Sequence, residues 1–190
     1  MREPLILASA SPRRLDLLRQ IGVEPAAIDP AEIDETPRPG ELPRAYALRM
    51  AEAKLAAVAP RHPGKLVLAA DSVVAVGRRI LPKADDEAQA RACLALLSGR
   101  RHRVLGGVAV AGADGRRRTR LVETVVRFKR LEPAETEAYV AAGEWRGKAG
   151  GYAIQGRAAA FASFVSGSYS NVVGLPLFET AQLLRALGGS

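Results

Sequence analysis

The stretch Leu66-Val67-Leu68-Ala69-Ala70-Asp71-Ser72 decides how the chain is read. Its first five residues are apolar without interruption, a run of strand length, and a strand lacking polar alternation is buried on both faces. Asp71 is placed at the C-terminal end of that strand, where α/β enzymes set catalytic and metal-binding acids. A turn-forming Asp that bonds its own backbone is the plainer alternative. Beyond it, Val73 to Leu81 reads as a short hairpin turning at Gly77.

Outward from this strand, helices and strands alternate. Leu5-Ile6-Leu7-Ala8 is a second short buried strand. Ser9-Ala10-Ser11-Pro12 then opens a helix to Ile21, stopped by Gly22, with Ser11 as N-cap and Pro12 at the first helical position. Residues 29–43 have loop composition. Leu42 to Val58 has helical periodicity, with Leu48, Ala51, Leu55 and Val58 on one face. Asp85 or Asp86 caps a helix running to Leu97 and closed by Ser98-Gly99. Val104 to Val110 and Leu121 to Phe128 are strands joined by the turn Gly112-Ala113-Asp114-Gly115. Pro133 starts a helix to Ala142. The glycine-dense stretch from Gly143 to Gly174 reads as loops and short strands, and Pro176 begins a last helix ending near Leu187. Interleaved elements with at least one hairpin predict an α/β chain with a mixed sheet.

Composition removes several alternatives. At 190 residues, 48% hydrophobic and 25% charged, the chain suits one globular domain of residues 1–190, in which two lobes are conceivable. Its apolar runs are too short to span a bilayer. Met1-Arg2-Glu3-Pro4 carries an acid and lacks a cleavage site, so no signal peptide is expected. The lone Cys93 excludes an internal disulfide framework and a paired-cysteine metal site; on the apolar face of a helix it reads as an inert core thiol. A cytosolic protein follows. The net charge of +8 attracts polyanions. Only five of the 28 basic residues are Lys, and 35 residues are Ala. That bias belongs to GC-rich coding and weakens a nucleic-acid-binding reading.

Six segments carry chemistry. In Ser9-Ala10-Ser11-Pro12-Arg13-Arg14, hydroxyls and guanidiniums meet at a helix N-terminus, which favours phosphate; an ordinary helix start with solvated arginines is equally compatible. Asp71-Ser72 is the second. Ile33-Asp34-Glu35-Thr36-Pro37 offers oxygen ligands to a hard cation, although loop acids are usually just solvated. Lys54 and Lys83 suit phosphate, but a helix lysine faces water by default. Trp145 to Gly156 contains glycines that let a backbone approach a ligand, and Gln155 offers a donor and an acceptor to a base edge; Trp145 itself reads equally as a packing anchor. Gly167 to Pro176 is a polar turn entering the last helix. His62 and His102 lack metal-type spacing and are read as structural. No P-loop, zincin or nucleophile-elbow motif occurs.

Together, Leu7-Ala8-Ser9-Ala10-Ser11-Pro12-Arg13-Arg14, Asp34-Glu35-Thr36, Ala70-Asp71-Ser72-Val73-Val74, Leu97-Ser98-Gly99 with His102, Lys148-Ala149-Gly150-Gly151-Tyr152-Ala153-Ile154-Gln155-Gly156 and Gly167-Ser168-Tyr169-Ser170-Asn171-Val172-Val173-Gly174-Leu175-Pro176 resemble the Maf family of nucleoside triphosphate pyrophosphatases. The resemblance runs from Leu5 to about Leu187 with the motifs in family order. It implies a Maf/ITPase-like α/β fold, with a central mixed, twisted sheet flanked by helices and an active-site cleft between two lobes. It also implies hydrolysis of a nucleoside triphosphate to the monophosphate and pyrophosphate, with a divalent cation, Mg²⁺ or Mn²⁺, as cofactor. The Gly-Tyr-Ala-Ile-Gln-Gly and Ser-Tyr-Ser-Asn-Val-Val-Gly-Leu-Pro stretches look like the dTTP/UTP branch rather than the 7-methyl-GTP branch.

By the same resemblance, Asp71 matches the proton acceptor. Arg13, Ser72 and Gln155 match substrate-selecting positions, Ser9, Arg14, Lys54 and Lys83 the phosphate pocket, and Glu35 a metal ligand. Asp71 would act as base, as metal ligand or as both. Two departures stand out: Pro82-Lys83-Ala84 replaces the usual Gly-Lys-Pro, and Ser72 stands where Thr is common. The partner implied is a small nucleotide, with no stable nucleic-acid complex, no membrane, and a homodimer left open. The rival readings are a pyrophosphatase for a modified purine nucleotide and a non-enzymatic nucleic-acid or cell-division partner. Against the latter, the chain has few aromatics for base stacking.

Overall fold

The computed structural model describes residues 3–188; Met1 and Arg2, which enter the signal-peptide reading, lie outside the described residues. The chain runs β1 (Leu5–Leu7), α1 (Pro12–Gln20), β2 (Ala27–Ile28), α2 (Pro43–Val58), β3 (Leu66–Val76), β4 (Arg79–Leu81), α3 (Glu87–Leu97), β5 (Arg101–Ala111), β6 (Arg117–Phe128), α4 (Pro133–Ala142), β7 (Ala162–Ser166), α5 (Tyr169–Val173) and α6 (Leu177–Leu187). The strands form one seven-stranded mixed sheet in the order β2-β1-β3-β5-β6-β7, with β4 paired to β3 off that path. An α/β fold with a mixed sheet flanked by helices is the architecture expected from the sequence.

Local chemistry sets the helix ends. Asp86 caps α3 by accepting the Gln89 backbone N–H at 2.7 Å. Glu132 and Glu135 form a reciprocal capping box at the start of α4, and Gly143 ends it in a left-handed conformation, φ 72°. Ser11 is the N-cap of α1 and Pro12 opens it, but the Ser11 side chain makes no capping bond.

One expectation is corrected at the centre. Asp71 does not end its strand: β3 continues to Val76, so Asp71 lies near its middle. The reason is β5, which pairs with β3 without interruption from Val67↔Ala111 to Ala75↔Arg103. The other edge of β3 is divided. β1 pairs in parallel with Leu66–Leu68, and β4 pairs antiparallel with Val74–Val76. On that edge, among the described residues, Ala69–Val73 has no strand beside it. The sheet is split there, and Asp71 and Ser72 sit at the split.

Both faces of the central strands are covered. Leu7, Leu68, Ala70, Val108 and Val110 pack with Leu175, Leu183 and Leu187; Ile6, Val67, Ala69 and Ala109 pack against Ala51, Leu55 and Val58 of α2. A further cluster joins α3, α4 and the distal ends of β5 and β6, with Phe128, Tyr139, Trp145, Tyr152 and Phe161 at its centre. Trp145 is the packing anchor read as one alternative, its indole N–H donating to the Val140 carbonyl at 2.8 Å. Cys93 is buried, and burial pushes its thiol up. Strands β5 and β6 are longer than the apolar pattern predicts because their backbone ladder continues through polar ends, to Arg101 opposite Arg127. No described helix is long and apolar enough to cross a membrane.

Candidate active site

Successive strand residues point to opposite faces, and this separates the two groups at the split. Asp71 faces α2, where Lys54 Nζ donates to its Oδ1 at 2.6 Å. Ser72 faces α1 and α5, where its hydroxyl meets Arg14 and the Gly174 carbonyl.

The split collects charge. Lys54 also reaches Glu35 Oε1 at 2.8 Å, and Lys83 pairs with Glu35 Oε2. Burial alone would raise the Glu35 pKa, but hydrogen bonds from Lys54 and Lys83 overcome it and hold the carboxyl down at about 2. The result is a chain Asp71–Lys54–Glu35–Lys83 spanning β3, α2, the 29–42 loop and the segment after β4. Lys54 and Asp71 are both buried, with 8% and 4% of their side chains exposed. The helix pattern predicts a solvated Lys54. The structure buries it because a partner carboxylate sits at the foot of α2, and a buried ion pair needs that partner.

On the other face, Arg14 is buried. Its Nε donates to the Gly174 carbonyl at 2.9 Å, Nη1 to Ser9 Oγ at 2.9 Å and Nη2 to Ser72 Oγ at 3.2 Å. Arg13 is half-buried, and its Nε has no hydrogen-bond partner among the described residues. Burial lowers the Arg13 pKa first and the neighbouring Arg14 charge second. Lys148 behaves alike: burial and then Arg13 lower it. Neighbouring cations that lower a guanidinium's or an ammonium's pKa favour an anion beside them.

All these groups line one cleft of about 260 Å³, whose wall also includes Tyr152, Val172, Val173 and Gln155. Every residue singled out for the site is there: Ser9, Arg13, Arg14, Glu35, Lys54, Asp71, Ser72, Lys83 and Gln155. The segments that carry Lys83 and Lys148 are zipped together by backbone bonds, Ala84 N to Lys148 O, Gly147 N to Ala84 O and Gly150 N to Pro82 O. The rearranged prolines around Lys83 therefore still deliver its ammonium to Glu35.

Several positioning residues escape the residue-type reading. A Cβ on Gly107, which pairs with Asp71, would stand 2.2 Å from the Ala47 carbonyl of α2; one on Gly106, which pairs with Ser72, would stand 1.9 Å from Asn171 Oδ1 of α5. The bare strand lets both helices press onto the sheet beside the site. Asn171 is buried, and its amide donates to the Val104 and Val122 carbonyls at 3.1 and 3.2 Å. The signal was available: glycines inside a strand pattern mark close backbone approach. His102 is indeed structural. It is buried, hydrogen-bonded to the Tyr152 hydroxyl at 2.8 Å, and burial lowers its pKa to about 4.

Among the described residues no group of three or more His, Cys, Asp or Glu forms a cation cage. The donors at the split are the two carboxylates joined through Lys54. Hard oxygens in that number suit Mg²⁺, which commonly binds one or two carboxylates together with waters and substrate phosphates. The residues fit a cation completed by the substrate.

A split α/β sheet with hydroxyls, five cationic side chains and two carboxylates around one cleft defines a class: an α/β protein whose site is suited to a polyphosphate ester. The chain belongs to the Maf family, whose Maf-like protein profile matches residues 4–187. It is 67% identical over 184 residues to a dTTP/UTP pyrophosphatase of Paramagnetospirillum magneticum, covering 97% of each chain. A dTTP/UTP pyrophosphatase of Rhodospirillum rubrum is 64% identical over 185 residues, covering 97% of this chain and 88% of that one. Among solved structures, the Staphylococcus aureus Ham1 protein aligns with 66% of this chain and 72% of its own at 19% identity, with a TM-score of 0.46.

Proposed function

We propose that this chain hydrolyses dTTP and UTP to the nucleoside monophosphate and pyrophosphate, with Asp71 as the catalytic base. The observation that carries the reading is the Asp71–Lys54–Glu35–Lys83 chain at the split of the sheet. It occurs in a chain 67% identical to a protein named for that activity.

The chemistry follows from the placement of charge. Water attacks the α-phosphorus, its proton passes to Asp71 Oδ2, and the bond from the α-phosphorus to the bridging oxygen breaks, releasing pyrophosphate. Lys54 holds Oδ1, which orients the carboxylate and leaves Oδ2 for the proton transfer. Arg13, Lys83 and Lys148, all in the cleft wall, neutralise the phosphates as negative charge moves to the leaving group. Glu35 and Asp71 would hold a divalent cation, which supplies further charge neutralisation at the phosphates. Gln155, exposed in the cleft wall, offers its amide to the pyrimidine edge.

The test is a panel of nucleoside triphosphates scored for pyrophosphate release with Mg²⁺ or Mn²⁺. Turnover of UTP and dTTP above the purine nucleotides, lost in a folded Asp71→Asn variant, is the expected outcome. Preference for a purine, or near-normal turnover by Asp71→Asn, refutes the assignment.

A further inference from the structure

A hydroxyl has one proton to donate and two lone pairs to accept with. At Ser9 and Ser72 the protein has already used most of that capacity, and differently at each. Ser9 Oγ accepts from Arg14 Nη1 at 2.9 Å and from the Ser11 backbone N–H at 3.3 Å. Both lone pairs are taken, which leaves its O–H. Ser72 Oγ donates to the Gly174 carbonyl at 3.3 Å and accepts from Arg14 Nη2 at 3.2 Å. Its proton is taken, which leaves one lone pair.

The agent of this asymmetry is Arg14. Its guanidinium carries five N–H donors and no acceptor, so it imposes an acceptor role on any hydroxyl it touches. Three of its bonds go to the protein, on Ser9, Ser72 and Gly174. Gly174 is itself anchored: Asn171 ties α5 to the Val104 and Val122 carbonyls over the bare Gly106. The frame that points Ser72 thus reaches into the sheet.

We propose that Arg14 is a positioning residue that fixes hydroxyl polarity, so that Ser9 presents only a donor to the substrate and Ser72 only an acceptor. A donor suits a phosphate oxygen. An acceptor in the same cleft as Gln155 suits a base N–H, and it selects pyrimidines with a protonated N3, uracil and thymine, over cytosine, whose N3 accepts. This rests on the pyrimidine pyrophosphatase reading and deepens it.

The test measures kcat/KM for UTP, CTP and N3-methyl-UTP. The intact chain favours UTP over both analogues by about tenfold or more, the scale of one neutral hydrogen bond and the penalty for leaving its partner unpaired. Ser72→Ala brings the UTP to N3-methyl-UTP ratio close to one by losing rate on UTP. Ser72→Thr keeps the hydroxyl and restores the ratio. Ser9→Ala lowers all three substrates by one factor. Arg14→Lys keeps the charge but not the three bonds, and it erodes the ratio as Ser72→Ala does. A general folding defect lowers every rate alike and leaves the ratio standing. N3-methyl-UTP used as readily as UTP by the intact chain, or a ratio unchanged in Ser72→Ala, overturns the proposal. Failure to turn over UTP at all refutes the pyrophosphatase reading instead.

Discussion

Replacing Lys54 by Met tests the account where it is most exposed energetically. Lys54 and Asp71 are 2.6 Å apart, and each side chain is more than nine-tenths buried. Glu35 loses one partner in this variant but keeps Lys83. Asp71 loses the one ammonium that touches it among the described residues. Removing one member of a buried pair costs about 3–5 kcal/mol, because the remaining charge is left unpaired in a medium that solvates it poorly. For a chain of this size each kcal/mol lowers the melting temperature by about 2–4 °C, so Lys54→Met melts about 6–20 °C below the intact protein. The double variant Lys54→Met/Asp71→Asn removes the stranded charge and recovers much of the loss, giving a coupling energy of about 1–3 kcal/mol in the cycle. Thermal melts followed by circular dichroism at one fixed pH measure all four proteins. A Lys54→Met melt within about 2 °C of the intact protein, or strictly additive single variants, refutes the claim that this pair is desolvated.

Two further outcomes follow from the frame around the site. Gly106→Ala drives a methyl group against Asn171; it destabilises by about 1–3 kcal/mol and lowers UTP turnover, because α5 carries Gly174. Gly115, in an open turn with φ +82°, gives the control, since its Ala variant leaves turnover unchanged; equal activity in the two variants contradicts the packing argument. His102 tests pH dependence. Its folded pKa, lowered to about 4 by burial, lies below the unfolded value, so protonation favours unfolding and stability falls as pH drops from about 6.5 towards 4. The intact protein should lose about 2 kcal/mol between pH 7 and pH 5 by urea titration from this group, and His102→Gln should lose correspondingly less.

What could be read in advance divides by physical range. The cap at Asp86, the turn at Gly112–Gly115 and the apolar runs of β1 and β3 are local, and their chemistry lies within a few residues. The same holds for Ser9–Arg14 as a helix start. The family resemblance brings Glu35, Lys83 and Gln155 to the site, although nothing local says that a loop acid will meet two lysines. Other features need the third dimension. The length of β3 beyond Asp71 is set by β5, distant in sequence: Ser72 pairs with Gly106 and Ala75 with Arg103. The burial of Lys54 depends on Asp71 lying beneath it. Gly106 and Asn171 meet only because α5 folds back onto β5. Periodicity describes one element's own face, and these positions are defined by the face of another.

The direct measurement of the central claim is the fate of solvent oxygen. UTP is hydrolysed by the intact chain in water labelled with heavy oxygen, and the products are separated and weighed by mass spectrometry. Attack at the α-phosphorus beside Asp71 puts one label into UMP and none into pyrophosphate. Label in pyrophosphate, or release of orthophosphate in place of pyrophosphate, contradicts the account.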